Sequence, residues 1–214
     1  MNFFLELVTS TDESRRAFES NPSVLDAVGN GMSVDRYRRF LLELYQIVAS
    51  FNPVCAAAAS RIPDEYRQVR YFLYEHMQEE SGHEEWVAND LEAIGVGKTA
   101  IHDHQPSLHA LALCGFNYWN ADRRHPCSAL GMVYALEVIA SVYGGPFASA
   151  IRESLLLNED RGVSFISSHA SMDTEHMIEL RLILNTLDEP GAKASIVESA
   201  HYNFHHFTRI FESV

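Results

Sequence analysis

Histidine and carboxylate recur in this chain at one spacing, twice. The first set is His76-x3-Glu80-x2-His83, within YEHMQEESGHEEW; the second is His169-x3-Asp173-x2-His176, within SSHASMDTEHM. On an α-helix, offsets of 0, 4 and 7 fall within a stripe about 60° wide. Each set therefore aims two imidazoles and one carboxylate in one direction over two turns, which is how a helix presents metal ligands. Mixed nitrogen and oxygen donors without thiolate suit iron, manganese or zinc and argue against a structural cysteine-type zinc site. The spacing predicts a metal centre held between two helices.

The elements that must position these residues are legible from periodicity and punctuation. Residues 1–32 break into short helical pieces, with Ser10–Glu13 fitting a capping box and Asn21-Pro22 and Gly29–Gly31 as stops. Ser33 caps a long helix over about 34–61, which Pro53 should kink or divide. A second long helix runs from Pro63-Asp64 to about Ile94, with Gly95 ending it. Its inward stripe passes through Val69, Leu73, His76, Glu80, His83, Val87 and Leu91, so the candidate ligands lie among core residues. Helices of about 106–120 and 127–143 follow, the latter carrying Glu137 among apolar neighbours; Gly144-Gly145-Pro146 should break or sharply bend it, with a helical piece continuing to about Leu157. A helix of 161–187 bears the second set, and Pro190-Gly191 turns the chain into a last amphipathic helix. No stretch reads as strand or linker. The pattern predicts one all-α domain over 1–214, with four long helices in its core.

Burying ionisable groups is costly unless they are paired or coordinated. Four acid-x2-His pairs occur, at 80/83, 122/125, 173/176 and 198/201, where about one or two are expected by chance. Only the first and third carry a further histidine four residues before the acid. With Glu137, the two sets supply six or seven donors, too many for one catalytic zinc and suited to two ions a few ångströms apart. Glu80, Glu137 and Asp173 would balance most of the charge of two divalent ions, and Glu43 on the first long helix is a further candidate. A ferritin-like bundle fits the order Glu43, Glu80/His83, Glu137, Asp173/His176 as well, but leaves His76 and His169 unexplained. Tyr45, Tyr71, Tyr74, Tyr134 and Phe165 are candidate pocket walls, and the Gly144–Pro146 break could open room for a substrate beside Glu137.

Composition narrows the class. A net charge of −13 disfavours nucleic acid and anionic membrane as partners. Three widely spaced cysteines, Cys55, Cys114 and Cys127, with no CxxC, are expected to be reduced thiols in a cytoplasmic protein. The start lacks a signal-peptide pattern, and no apolar run is expected to approach the ~20 residues of a membrane span.

These residues also resemble a known group, the heme-oxygenase-like (TenA/PqqC-type) superfamily, nearest to its branch of heme-oxygenase-like diiron oxidases and oxygenases. The resemblance covers about Ser33 to Leu187 and is carried by EHMQEESGHEEWVANDLEAIG, by the acid in GMVYALEVIAS and by FISSHASMDTEHMIEL. It implies a single-domain bundle of about seven or eight helices. It implies His169, Asp173 and His176 as three ligands, Glu137 as the mid-chain ligand and His83 as the histidine of the first stretch. Some members carry a carboxylate seven residues before that histidine, where this chain has His76. Glu80 or Glu79 is then expected to replace it, with His76 as a ligand or a neighbouring donor. The implied function is an O2-dependent non-heme diiron oxidase or oxygenase acting on a small organic substrate. It would hold two iron ions, with manganese or zinc also acceptable to the donors, and draw on an external electron donor. The resemblance leaves a homodimer open as the assembly, and the residues do not fix the oligomeric state. Heme is not expected, because no histidine precedes His76. The alternatives are a TenA/PqqC-like enzyme on a heterocycle, either a thiamine-type hydrolase or a metal-independent oxidase, and a non-catalytic metal-binding protein.

Overall fold

The computed structural model describes residues 2–158 and 160–214, and the side chains of Asp173 and Thr174 lie outside the described set. Among the described residues the chain is helical throughout, with no strand. Three short helices open it: α1 (Phe3–Ser10), α2 (Asp12–Glu19) and α3 (Pro22–Asn30). The expected capping box is not made. Thr11, not Ser10, precedes α2, and its hydroxyl donates back to the Leu7 carbonyl at 2.8 Å. Asn21 and Ser33 do cap the helices that follow them, through Ser23 N and Arg36 N.

Helix α4 (Val34–Ala59) runs through Pro53 without dividing. The second long helix, by contrast, is not continuous. It is α5 (Arg67–Glu79), a turn at Glu80–Gly82, and α6 (His83–Ala93). Gly82 sits at φ +87°, a left-handed conformation that glycine adopts without a Cβ penalty. The Ser81-Gly82 dipeptide is a turn signal that the apolar periodicity overrode in the sequence reading. A Cβ on Gly82 would meet no atom within 4 Å, so the cost of Gly82→Ala is that of the backbone alone, about 1–2 kcal/mol. Urea unfolding should give that loss, and metal affinity should fall with it because the turn carries Glu80 and leads into His83.

The remaining elements are α7 (Lys98–His102), α8 (Leu108–Arg123), α9 (Ala129–Ile139), α10 (Gly145–Leu155), α11 (Ser164–Leu184) and α12 (Pro190–Ser213). The total exceeds the expected seven or eight because of the break at Gly82 and the short pieces. At Gly144-Gly145-Pro146 the helix does continue to Leu155, as expected, but without a break. Residues 140–144 form a π-helical turn that joins α9 to α10 as one rod. A Cβ on Gly144 would lie 3.3 Å from the Ile166 carbonyl and 3.4 Å from Ala170 Cβ, so this glycine lets α11 pack close to the π turn.

The core forms where α4 packs on α5, α6 and α8, where α12 packs on α8 and α9, and where α11 packs on α6, α9 and the π turn. Contrary to expectation, two helical stretches, Val34–Ala59 and Pro126–Leu155, are long and apolar enough to cross a membrane by length and composition. The second is 72% buried inside the protein over its most apolar window. The first begins with Asp35, Arg36, Arg38 and Arg39 and buries Glu43. Both serve here as core helices.

Candidate metal centre

Four buried histidines and two carboxylates converge where the α5–α6 turn meets α9 and α11. They form two groups whose candidate ligand atoms lie within 4.8 Å of one another: His76, Glu80, Glu137 and His176 in one, Glu80, His83 and His169 in the other. The two sequence sets do not hold one ion each. Each set contributes one histidine to each group. Seven residues of helix separate two side chains by about 10 Å along the axis, so His169 and His176 on unbroken α11 fall in different groups, and His76 and His83, on either side of the turn at Gly82, each meet one of them.

In the first group, Glu137 Oε1 lies 3.3 Å from both His76 Nε2 and His176 Nδ1. In the second, His83 Nδ1 lies 2.7 Å from Glu80 Oε2 and 3.1 Å from His169 Nε2. Glu80 belongs to both. Its Oε2 faces His83 and, at 3.5 Å, His169, while its Oε1 is 3.7 Å from His176 Nδ1. A carboxylate offering one oxygen to each of two neighbouring groups has the arrangement of a bridge between two ions.

Outer contacts set the rings. His169 Nδ1 donates to the Phe165 carbonyl at 2.9 Å, leaving Nε2 aimed inward as the nitrogen an ion would take in place of its proton. Glu79, half exposed, faces the outer nitrogens of His76 and His176 at 3.9 and 3.6 Å, so it stands behind the rings and outside both groups. Asn52 Nδ2 donates to the Met77 carbonyl at 3.1 Å and ties the end of α5 to α4.

The donor set fits transition metal. His76 is 1% exposed, and among the described residues its ring nitrogens make no hydrogen bond, Nε2 having only the 3.3 Å approach of Glu137 Oε1, while Glu137 Oε2 has no partner. Buried polar atoms are seldom left in that state. Imidazole nitrogens and carboxylate oxygens together suit iron, manganese and zinc.

Burial pushes the Glu80 carboxyl up, but hydrogen bonds with His169 and His83 outweigh it and hold the group well below the usual carboxylate range. Glu137 is also lowered, burial being outweighed by His176 and His76. His176 is pushed up to about 9 from 6.5, first by its hydrogen bond to Glu137. That raised value stabilises the metal-free fold below pH 6.5 and is lost as pH rises through about 9. An entering ion needs the neutral ring, so metal affinity should rise with pH over the same window. Calorimetry of anaerobic Fe(II) or Mn(II) binding near neutral pH, in buffers of differing ionisation enthalpy, should report a proton released from this site.

Of the sequence-predicted ligands, His76, Glu80, His83, Glu137, His169 and His176 come together, while the Asp173 side chain lies outside the described residues. Glu43 does not join them. It is buried against His104 Nε2 at 3.0 Å and accepts from Ser107 N at 2.9 and 3.1 Å, serving the start of α8. The pairs at 122/125 and 198/201 do not assemble: Glu198 binds Arg124, and His201 Nδ1 lies 2.7 Å from Ser14 Oγ. Of the expected pocket walls, Phe165 lines the cavity beside the centre, whereas Tyr71 and Tyr74 are exposed and Tyr134 is sealed in the core.

Two residues escaped the sequence reading. Buried Asp90 on α6 accepts from Gly162 N, Ser164 N, Ser164 Oγ and Phe165 N at 2.8–3.1 Å, fastening α6 to the start of α11. A lone acid between Val87 and Leu91 was the available signal. Trp86 lies over His83, ring centroids 4.2 Å apart.

A cavity of about 120 Å³ opens from Glu80, Glu137 and His169 into the apolar core.

Comparison with known proteins agrees with this architecture. A domain with a heme oxygenase-like fold from Shewanella denitrificans superposes with a TM-score of 0.85 at 19% identity, covering 100% of this chain and 91% of that one. A TenA homologue from Pseudomonas syringae gives 0.82 at 16% identity, covering 98% and 91%. Heme oxygenase-1 from Synechocystis, in complex with heme, gives 0.80 at 16%, covering 100% and 92%. No curated protein sequence matches the chain significantly. The profile of a family described as "Iron-containing redox enzyme" matches residues 38–203. The chain has a heme oxygenase-like fold and belongs to this family of iron-containing redox enzymes.

Proposed function

We propose that this protein is an O2-dependent non-heme diiron oxidase or oxygenase acting on a small organic substrate. The observation that carries the reading is Glu80, whose two oxygens face two histidine–carboxylate groups. His76, Glu137 and His176 would hold one ion, His83 and His169 the other, with Glu80 between them and Asp173 as a further donor on α11. Two ferrous ions there would supply electrons to O2, with an external donor restoring them between turnovers.

The chain's own residues supply the setting. The Phe165 carbonyl keeps His169 in one tautomer and Glu79 stands behind two of the rings, as outer partners do in metal sites. The apolar cavity keeps bulk water from the face where a substrate would meet the ligands.

The three cysteines weigh against a nucleophilic-thiol hydrolase. None lines the cavity. Burial, then the charge of Glu80, pushes the Cys55 thiol up, and burial with Glu189 pushes Cys127 up to about 12. These settings favour thiol over thiolate. All three are free, in keeping with a cytoplasmic setting.

Protein produced with iron is expected to carry about two iron atoms per chain, and the anaerobic Fe(II) form to consume O2 on mixing. A chain that takes up no Fe(II), or whose iron-loaded form is inert to O2, would sink the reading.

A further inference from the structure

We infer that the substrate is an elongated, largely hydrocarbon molecule with at most one polar group, carried at the metal end. The reading rests on the proposed centre for its chemistry but not for its binding.

The cavity has a direction. Phe51 on α4 marks its metal end, its ring centroid 5.6 Å from that of His76. Val48, Ile47 and Leu44 follow along the wall, and Phe40 marks the far end. Those two phenylalanines are eleven residues apart on one helix, about 16 Å along its axis. The opposite wall repeats this span, from Glu137 on α9 through Ala140, Tyr143 and Gly144 of the π turn to Phe147 on α10. At the far end Phe40 packs against Phe147 and Phe211, with ring centroids 5.3 and 4.9 Å away. The space is therefore a slot about three helical turns long.

Its chemistry is equally one-sided. No lysine or arginine lines the slot among the described residues. Away from Glu80, Glu137 and His169, the one polar side chain on the wall among the described residues is Tyr143, whose hydroxyl donates to Glu19. A carboxylate or phosphate placed along the slot would be desolvated without a partner, at a cost that excludes it. A polar group is tolerated where the metal ligands are. A chain or ring-ended hydrocarbon bearing one acid, amine or alcohol group satisfies both ends; a phosphorylated heterocycle does not. Phe147, at the end away from the metal ligands, then becomes the residue that gauges length.

The test is binding of straight-chain acids, amines and alcohols of increasing length to the full chain. It is read by displacement of a fluorescent apolar probe, with and without anaerobically loaded Fe(II). Affinity should rise roughly threefold to fourfold per methylene until the slot is full, then fall. The three head groups separate the polar chemistries at the metal end. Phe147→Ala should move the optimum to longer chains, and Leu44→Trp to shorter ones or abolish binding with metal content retained. Affinity independent of length, or an unshifted optimum in both folded variants, overturns the inference. If a variant fails to fold, the length series on the unsubstituted chain still decides. Length-dependent binding by a chain that takes up no metal would sustain the slot and sink the diiron reading. Two bound irons without length dependence would do the reverse.

Discussion

Glu80→Gln is expected to abolish metal-dependent activity and to lower both sites' occupancy together. The carboxylate is shared by the two groups, so its neutral amide removes charge and a donor oxygen from each. Removing an outer partner of a metal site typically costs 10–100-fold in affinity; a shared inner donor should cost at least about 100-fold. Glu137→Gln provides the contrast. It belongs to one group only, so the His83/His169 group should retain its ion. The measurement is metal per chain after anaerobic titration, with thermal unfolding of the metal-free variants as a control for folding. Equal, single-ion losses from both substitutions would show that Glu80 is not shared.

Asp90→Ala is expected to lower stability by about 3 kcal/mol. Val163, at the start of α11, has no side chain able to cap it, and the donors there are satisfied by Asp90 from α6 instead. The substitution leaves buried N–H groups of Gly162 and Phe165 without acceptors. Asp90→Asn keeps the oxygen that takes three of the four bonds and should cost roughly a third as much. Because Asp90 locks the helix of His83 to the helix of His169, metal affinity in the second group should weaken in step. Urea titration followed by metal titration checks both. An unchanged unfolding midpoint for Asp90→Ala would show that α6 and α11 are held together by other contacts.

Much of the site was legible because ligation demands particular atoms. His76, His83, His169 and His176 stood on apolar stripes where an imidazole has no ordinary reason to be, and Glu137 was a lone acid in a hydrophobic run. Each is buried in the structure. The readings that failed were those in which a local rule had a competitor. Periodicity carried one helix through Glu80–Gly82, although Ser81-Gly82 signalled a turn. Gly144-Gly145-Pro146 looked like a break or a sharp bend within a longer helical stretch, yet the helix passes through it by a π turn packed against α11. Glu43 had the right phase to face inward, but His104 and the start of α8 claim it. Asp90 was overlooked because its partners lie more than seventy residues away.

By itself, then, the sequence determined the helical class, the donor types and that the donors would be buried, since each follows from residue chemistry and a 3.6-residue period. Which histidine joins which carboxylate was decided by tertiary structure. His76 and His83 lie on either side of a turn at Gly82, and each meets a different histidine of α11. Helix packing leaves a long apolar slot that no local pattern encodes. Spacing along a chain sets the direction of side chains within a helix; the angle between helices sets what they meet.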